Sequence, residues 1–223
     1  MLGLIKLKML TIDIEKFSAT RLQREPYEYL IVPGFIRSSA IQTINRDYPE
    51  ISEPGSFPLS SLETGPAFRK FVEEMSSKDV RSAFSEKFDV DLWRRPLTVT
   101  VRGKSQAKDG QIHTDTKSKI ITILIYMNTE WSTAGGRLRV LRSDSNIEDY
   151  AAEIPPIAGT LLAFRRSGKS WHGHKSFEGE RRVIQFNWVT NRGVLRREII
   201  RHRISAFLKS FKSPRAPAIG GNP

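Results

Sequence analysis

His113, Asp115 and His172 are three side chains of the types that can hold a metal ion together. A His-x-Asp pair in QIHTDTKSKIITILIYMN stands just ahead of a strongly apolar run. The second histidine lies far downstream, in GTLLAFRRSGKSWHGHKSFEGERRVIQFNWV. On extended backbone, residues i and i+2 point to the same side, so His113 and Asp115 can grip one ion. Two imidazoles and one carboxylate on one face of a metal leave three positions open, a ligand set that suits a non-haem Fe(II) centre handling O2. An isolated His-x-Asp also occurs by chance, and the four histidines are His113, His172, His174 and His202. The pair gains weight from its company: Tyr126 in the strand that follows it, and Arg181 at the head of the strand beyond His172.

The segment from about Leu97 to Val189 resembles the prolyl-hydroxylase-like 2-oxoglutarate/Fe(II)-dependent oxygenases. The resemblance rests on an ordered set of motifs: the H-x-D, a strand ending in Tyr126-Met127-Asn128, the stretch WSTAGGRLR from Trp131 to Arg139, GTLLAF from Gly159 to Phe164, the distal histidine, and an arginine nine or ten residues after it. The resemblance implies Fe(II) held by His113, Asp115 and His172, with 2-oxoglutarate as cosubstrate, O2 as oxidant and ascorbate as a candidate reductant. It implies a dioxygenase, most simply a hydroxylase, that couples conversion of 2-oxoglutarate to succinate with oxidation of a substrate. The distal carboxylate of 2-oxoglutarate then needs a buried cation, for which a bidentate guanidinium is the best match. Arg181 fills that role, with the Tyr126 hydroxyl as a second donor.

Two neighbours compete for these roles. His174 stands on the same expected strand face as His172, but it would place the arginine seven or eight residues on, short of the family's range, so His172 is preferred. Arg181 competes with Arg182, and strand alternation favours Arg181. If Arg181 points inward, so do Val183, Gln185 and Asn187, while Ile184, Phe186 and Trp188 pack outward on helices. Gly179-x-Arg181 also matches the family's G-x-R. Arg102 and Lys119 flank the site as candidates for substrate or cosubstrate contact, or as rim charges. Trp171 and Trp188 read as packing residues, and Gly135-Gly136 as turn chemistry, because glycine accepts positive φ at little cost.

The elements that position these residues follow from the change in period along the chain. Residues 1–95 read as mostly helical: a helix capped by Ser38 or Ser39 and running through Arg46, one from Pro66 to Met75 begun by a first-turn proline, and one from Val80 to Phe88, with ISEPGSFPLSS as a loop. From Leu97 the pattern becomes strand-like: LTVTVRG, KIITILIYM, RLRVL, AAEIP, TLLAF and RRVIQFNWV, separated by turn residues. Helices followed by many short strands predict an α+β fold with a mainly β core. The expected architecture is a double-stranded β-helix (jelly-roll) barrel over 96–190, buttressed by N-terminal helices and a C-terminal helix. The 223 residues fit a single domain.

Composition sets limits. With no cysteine, disulfides, thiolate catalysis and Cys-zinc sites are excluded. No apolar run approaches the ~20 residues of a membrane-spanning helix, and MLGLIKLKMLTI lacks the pattern of a signal peptide, so a cytoplasmic location is expected. The net charge of +12 is concentrated at the end. From residue 190 onward, eight basic residues (Arg192, Arg196, Arg197, Arg201, Arg203, Lys209, Lys212, Arg215) face Glu198 alone, interleaved with Ile200, Ile204 and Phe207 at helical spacing. A basic amphipathic helix over 191–212 is expected, packed on the barrel, followed by a disordered tail over 213–223. Its charge suits encounter with an anionic partner. The substrate class stays open, whether small molecule or polymer-linked. Two other readings remain: a non-catalytic or differently metallated jelly-roll protein, and a basic nucleic-acid-binding protein, for which no recognisable binding signature is present.

Overall fold

The computed structural model describes residues 11–191 and Gly193. The N-terminal part holds α1 (Ile14–Ala19), β1 (Tyr29–Val32), α2 (Ser38–Arg46), β2 (Phe57–Pro58), α3 (Pro66–Met75) and α4 (Lys78–Lys87). Then come β3 (Leu97–Ser105), β4 (Lys119–Tyr126), β5 (Leu138–Leu141), β6 (Tyr150–Ile154), β7 (Leu161–Arg165), β8 (His172–Gly173) and β9 (Gly179–Val189). These build an antiparallel six-stranded sheet in the order β1-β7-β4-β9-β3-β2 and a three-stranded sheet in the order β6-β5-β8.

Strand alternation divides the larger sheet into two unlike faces. Val101, Ile121, Ile123, Ile125, Leu161, Ala163, Ile184, Phe186 and Trp188 point to the helices and join Phe68, Phe71, Val80, Phe84 and Phe88 in the main core. Ring contacts that join helices to the sheet there are Phe71 on Phe186 (6.1 Å) and Phe84 on Trp188 (5.0 Å). The other face meets the smaller sheet: Leu124, Tyr126, Leu162, Phe164 and Val183 pack with Leu138, Val140 and Ile154. This two-sheet architecture is the expected jelly roll, with helices on one flank. The expected basic helix and tail lie outside the described residues.

Several expectations change in detail. The 1–95 region contributes β1, which pairs with β7 on the edge of the large sheet; YLIV is too short and too apolar to be separated from a buried helical turn by its pattern. α2 begins at Ser38, but neither serine caps it: the cap position is Arg37, with no side-chain bond. α4 starts earlier than expected because Ser77 Oγ accepts from the Val80 amide. β8, only two residues long, has no sequence pattern of its own and exists through pairing with β5. His113 and Asp115 do not sit on a strand. The segment ahead of β4 is irregular, and only His113 is paired, in an isolated antiparallel bridge to His172.

Candidate active site

That bridge builds the site. The His113 amide donates to the His172 carbonyl and the His172 amide to the His113 carbonyl, both at 3.0 Å, which brings the two rings to 4.4 Å. His113 Nδ1 lies 2.8 Å from the Gln111 carbonyl and His172 Nδ1 lies 2.9 Å from the Ser170 carbonyl. A carbonyl can only accept, so each Nδ1 is the donor and Nε2 is the ring nitrogen left for a ligand, the arrangement that tethers metal-ligating imidazoles. Phe164 packs on the His172 ring at 4.8 Å. Burial, partly offset by Asp115, pushes His172 down to about 4, so its ring is neutral at physiological pH.

Asp115 completes the cluster. One ligand atom from each of His113, Asp115 and His172 lies within 4.8 Å of the others, the only such group among the described residues. The Asp115 main-chain carbonyl accepts from Arg166 Nε at 3.0 Å. Its Oδ1 accepts from Lys119 Nζ at 2.7 Å and its Oδ2 from Thr122 Oγ1 at 2.5 Å. Burial pushes this carboxyl up, but Lys119, His172 and the two hydrogen bonds outweigh it and hold the group below the usual carboxylate range. A carboxylate and two imidazoles at this spacing fit a divalent metal with open positions.

The cluster opens into a cavity of about 230 Å³ with Arg181 and Val183 in its lining. Arg181 is 5% exposed, donates through Nε to the Gly136 carbonyl at 2.8 Å, and stands over the Tyr126 ring at 5.6 Å. No carboxylate of the described residues pairs with it. Arg181 Nη2 and Tyr126 Oη are both sealed from solvent and neither meets hydrogen-bond geometry with any partner, although the two side chains lie close enough for Arg181 to act on the phenol as a charge and as a donor. Burial, partly offset by Arg181, pushes the Tyr126 phenol up to about 12, so it stays a neutral donor. A buried guanidinium and a buried hydroxyl, both with unused donors and no anion in the protein, fit an external carboxylate. Arg182 faces the other way, paired with Glu180 at 3.0 Å and over the Tyr48 ring at 5.3 Å.

His174 lines the same cavity but is not part of the His113–Asp115–His172 cluster; its Nδ1 is tied to the Lys175 carbonyl at 2.8 Å. Of the flanking candidates, Lys119 is committed to Asp115, and Arg102 is paired with Asp109. Gly135-Gly136 does more than turn the chain: a Cβ on Gly135 would lie 2.4 Å from the Ser176 carbonyl oxygen, and the Gly136 carbonyl anchors Arg181. Sequence reasoning missed Thr122, Asp109 and Ser56 as parts of the site; for Thr122 the signal was its inward phase on β4, in register with Asn187.

The lining also holds the polar side chains of Ser56, Thr100, Arg102, Asp109 and Gln185. Gln185 Nε2 donates to Asn187 Oδ1 at 3.0 Å and Asn187 Nδ2 to Thr98 Oγ1 at 3.3 Å, which fixes both amides.

Comparison with known proteins agrees with this geometry. The family model of the 2OG-Fe(II) oxygenase superfamily matches residues 102–190. No curated protein matches the chain. A prolyl-4-hydroxylase from Pseudomonas putida superposes with a TM-score of 0.54 at 14% identity, over 82% of this chain and 97% of that one. The viral collagen prolyl hydroxylase of Paramecium bursaria Chlorella virus-1, solved as a 2OG complex, gives 0.51 at 16% identity over 73% and 96%. A 2OG-Fe(II) oxygenase family oxidoreductase from Burkholderia pseudomallei gives 0.52 at 12% over 79% and 90%. At these identities the superpositions speak for the shared fold. Residues 102–190, which hold the His113–Asp115–His172 cluster and the buried Arg181, are thus the part of this chain that is similar to the 2OG-Fe(II) oxygenase superfamily.

Proposed function

We propose that the chain hydroxylates a polar substrate, with His113, Asp115 and His172 holding Fe(II) and with Arg181 and Tyr126 receiving the distal carboxylate of 2-oxoglutarate. Bound Fe(II) supplies the O2 chemistry; the protein supplies the placement. The two Nδ1–H tethers aim both imidazoles, and Thr122 and Lys119 fix the carboxylate. Arg181, locked by the Gly136 carbonyl, sets the depth to which a dicarboxylate can enter. Leu124, Leu138 and Val183 are the apolar part of the cavity lining. The hydroxyls of Ser56 and Thr100, the Gln185 amide and the Arg102–Asp109 ion pair in the lining favour a hydrogen-bonding substrate over an apolar one.

The observation that carries this reading is the pairing of a two-imidazole, one-carboxylate cluster with a buried arginine that has no anion of its own. The test is Fe(II)- and O2-dependent release of succinate from 2-oxoglutarate, measured across a panel of polar metabolites. Succinate release should require Fe(II), rise when a polar metabolite is oxidised, and vanish in His113→Ala. Release that is undiminished in His113→Ala, or that is stimulated only by apolar compounds, contradicts the reading.

A further inference from the structure

Asp115 is over-supplied with donors. Thr122 Oγ1 already orients its Oδ2 as a neutral hydroxyl, at no electrostatic cost to a metal. Lys119 Nζ holds Oδ1 at 2.7 Å as a full positive charge, inside the same cavity, with the two side chains only 13% and 8% exposed. No other acidic side chain pairs with Lys119 among the described residues. An ammonium one carboxylate oxygen away from the metal position is a cation competing for the ligand that the metal needs. Without metal the same ammonium is indispensable, because a carboxylate buried beside two imidazoles would otherwise be an uncompensated charge. Lys119 opens β4 directly after an irregular segment, at a turn closed by the Lys119 amide and the Thr116 carbonyl, so its long, flexible side chain has cavity space to move into.

From this ion pair we infer that Lys119 is a stand-in cation: it occupies Asp115 while the centre is metal-free and is displaced into the cavity when a divalent metal takes the carboxylate. The inference rests on the metal centre proposed above and adds to it a positioning residue that weakens metal affinity in exchange for a stable metal-free site. Thr122 remains on Asp115 throughout and keeps its orientation, so the exchange moves one side chain and leaves the ligand in place.

Two measurements with Mn(II) as the probe test this, neither of them an activity assay. In calorimetric titration of the whole chain, Lys119→Met should bind Mn(II) at least tenfold more tightly than wild type. Lys119→Arg, which keeps the charge, should stay within about threefold of wild type. A residue that merely supported the site would weaken binding when removed. The second measurement uses the wild-type protein and so does not depend on any variant folding: acetylation of Lys119 by an N-hydroxysuccinimide ester, followed by peptide mass spectrometry, should accelerate severalfold when Mn(II) saturates the centre, because the displaced amine loses its partner. Unchanged or slower labelling overturns the inference. So does a Lys119→Met affinity equal to or weaker than wild type, or tightening of the same size in Lys119→Arg. The metal centre is judged separately: if wild-type Mn(II) binding is absent or survives His172→Ala, the centre itself fails and Lys119 loses its role with it. If binding depends on His172 and only the Lys119 outcomes fail, the centre stands and Lys119 is a fixed orienting donor.

Discussion

Replacing Arg181 with methionine should separate affinity for 2-oxoglutarate from stability, in opposite directions. The guanidinium is buried, holds one bond to the Gly136 carbonyl, and has an unpartnered Nη2 beside an unpartnered Tyr126 hydroxyl. Losing a hydrogen bond to a charged group costs about 1.5–3 kcal/mol, which is roughly a 10- to 150-fold weaker Kd for 2-oxoglutarate. In the cosubstrate-free protein the same substitution removes a buried charge that no carboxylate balances, and apolar replacement of such a group is often neutral or stabilising. Arg181→Met should therefore melt at or above the wild-type temperature without ligand. At a 2-oxoglutarate concentration of 100 times the wild-type Kd, ligand should stabilise the Mn(II)-loaded wild type by about 2.7 kcal/mol. A variant weakened 100-fold should gain only about 0.4 kcal/mol under the same conditions. Arg182→Met, which breaks a half-exposed pair with Glu180 and the contact with the Tyr48 ring, serves as the control and should bind 2-oxoglutarate as wild type does. Denaturant melts with and without ligand, beside direct titration, give both quantities. A 2-oxoglutarate affinity within threefold of wild type in Arg181→Met, or a larger loss in Arg182→Met, would refute the reasoning.

Other expectations are simpler to state. His172→Ala should abolish Mn(II) binding while His174→Ala retains it, because His174 stands outside the ligating cluster; equal losses in calorimetry would move the ligand assignment. Trp188→Ala should cost about 3–5 kcal/mol of stability, since the ring is fully buried against Phe84; a urea midpoint shift worth under 1 kcal/mol would count against that packing. Burial holds both His172 and His174 at about 4, below the ~6.5 of an unfolded chain. The unfolded state thus binds more protons between those values, and the metal-free protein should be fully stable above about pH 6.5 and lose stability steadily as the pH falls toward 4. Urea midpoints that stay level across that window would contradict the burial of the two rings.

Much of the fold was readable because its strands alternate cleanly. In RRVIQFNWV the inward row of polar residues and the outward Ile184, Phe186 and Trp188 distinguish the two faces of β9, and that phase alone separates Arg181 from Arg182. β3, β4 and β7 were readable from their apolar strand-like runs. β1 and β8 were not, because a four-residue and a two-residue strand carry no period and exist through pairing with β7 and β5. The same limit applies within the site. His113 and Asp115 meet His172 through a backbone bridge between residues distant in sequence, and no local pattern announces such a bridge. The commitment of Lys119 to Asp115 and of Arg102 to Asp109 turned two apparently free cations into paired ones, a fact fixed by side-chain geometry. The basic segment beyond residue 193 lies outside the described residues, so its part in substrate encounter rests on charge alone.

The most direct test of the central claim is a crystal structure of the chain grown with Mn(II) and 2-oxoglutarate under anaerobic conditions, with anomalous scattering recorded at the manganese edge. The account predicts one strong anomalous peak bonded to His113 Nε2, an Asp115 carboxylate oxygen and His172 Nε2, with the distal carboxylate of 2-oxoglutarate on Arg181 and Tyr126. A peak ligated by His174 in place of His172, or a 2-oxoglutarate whose distal carboxylate avoids Arg181, would contradict it.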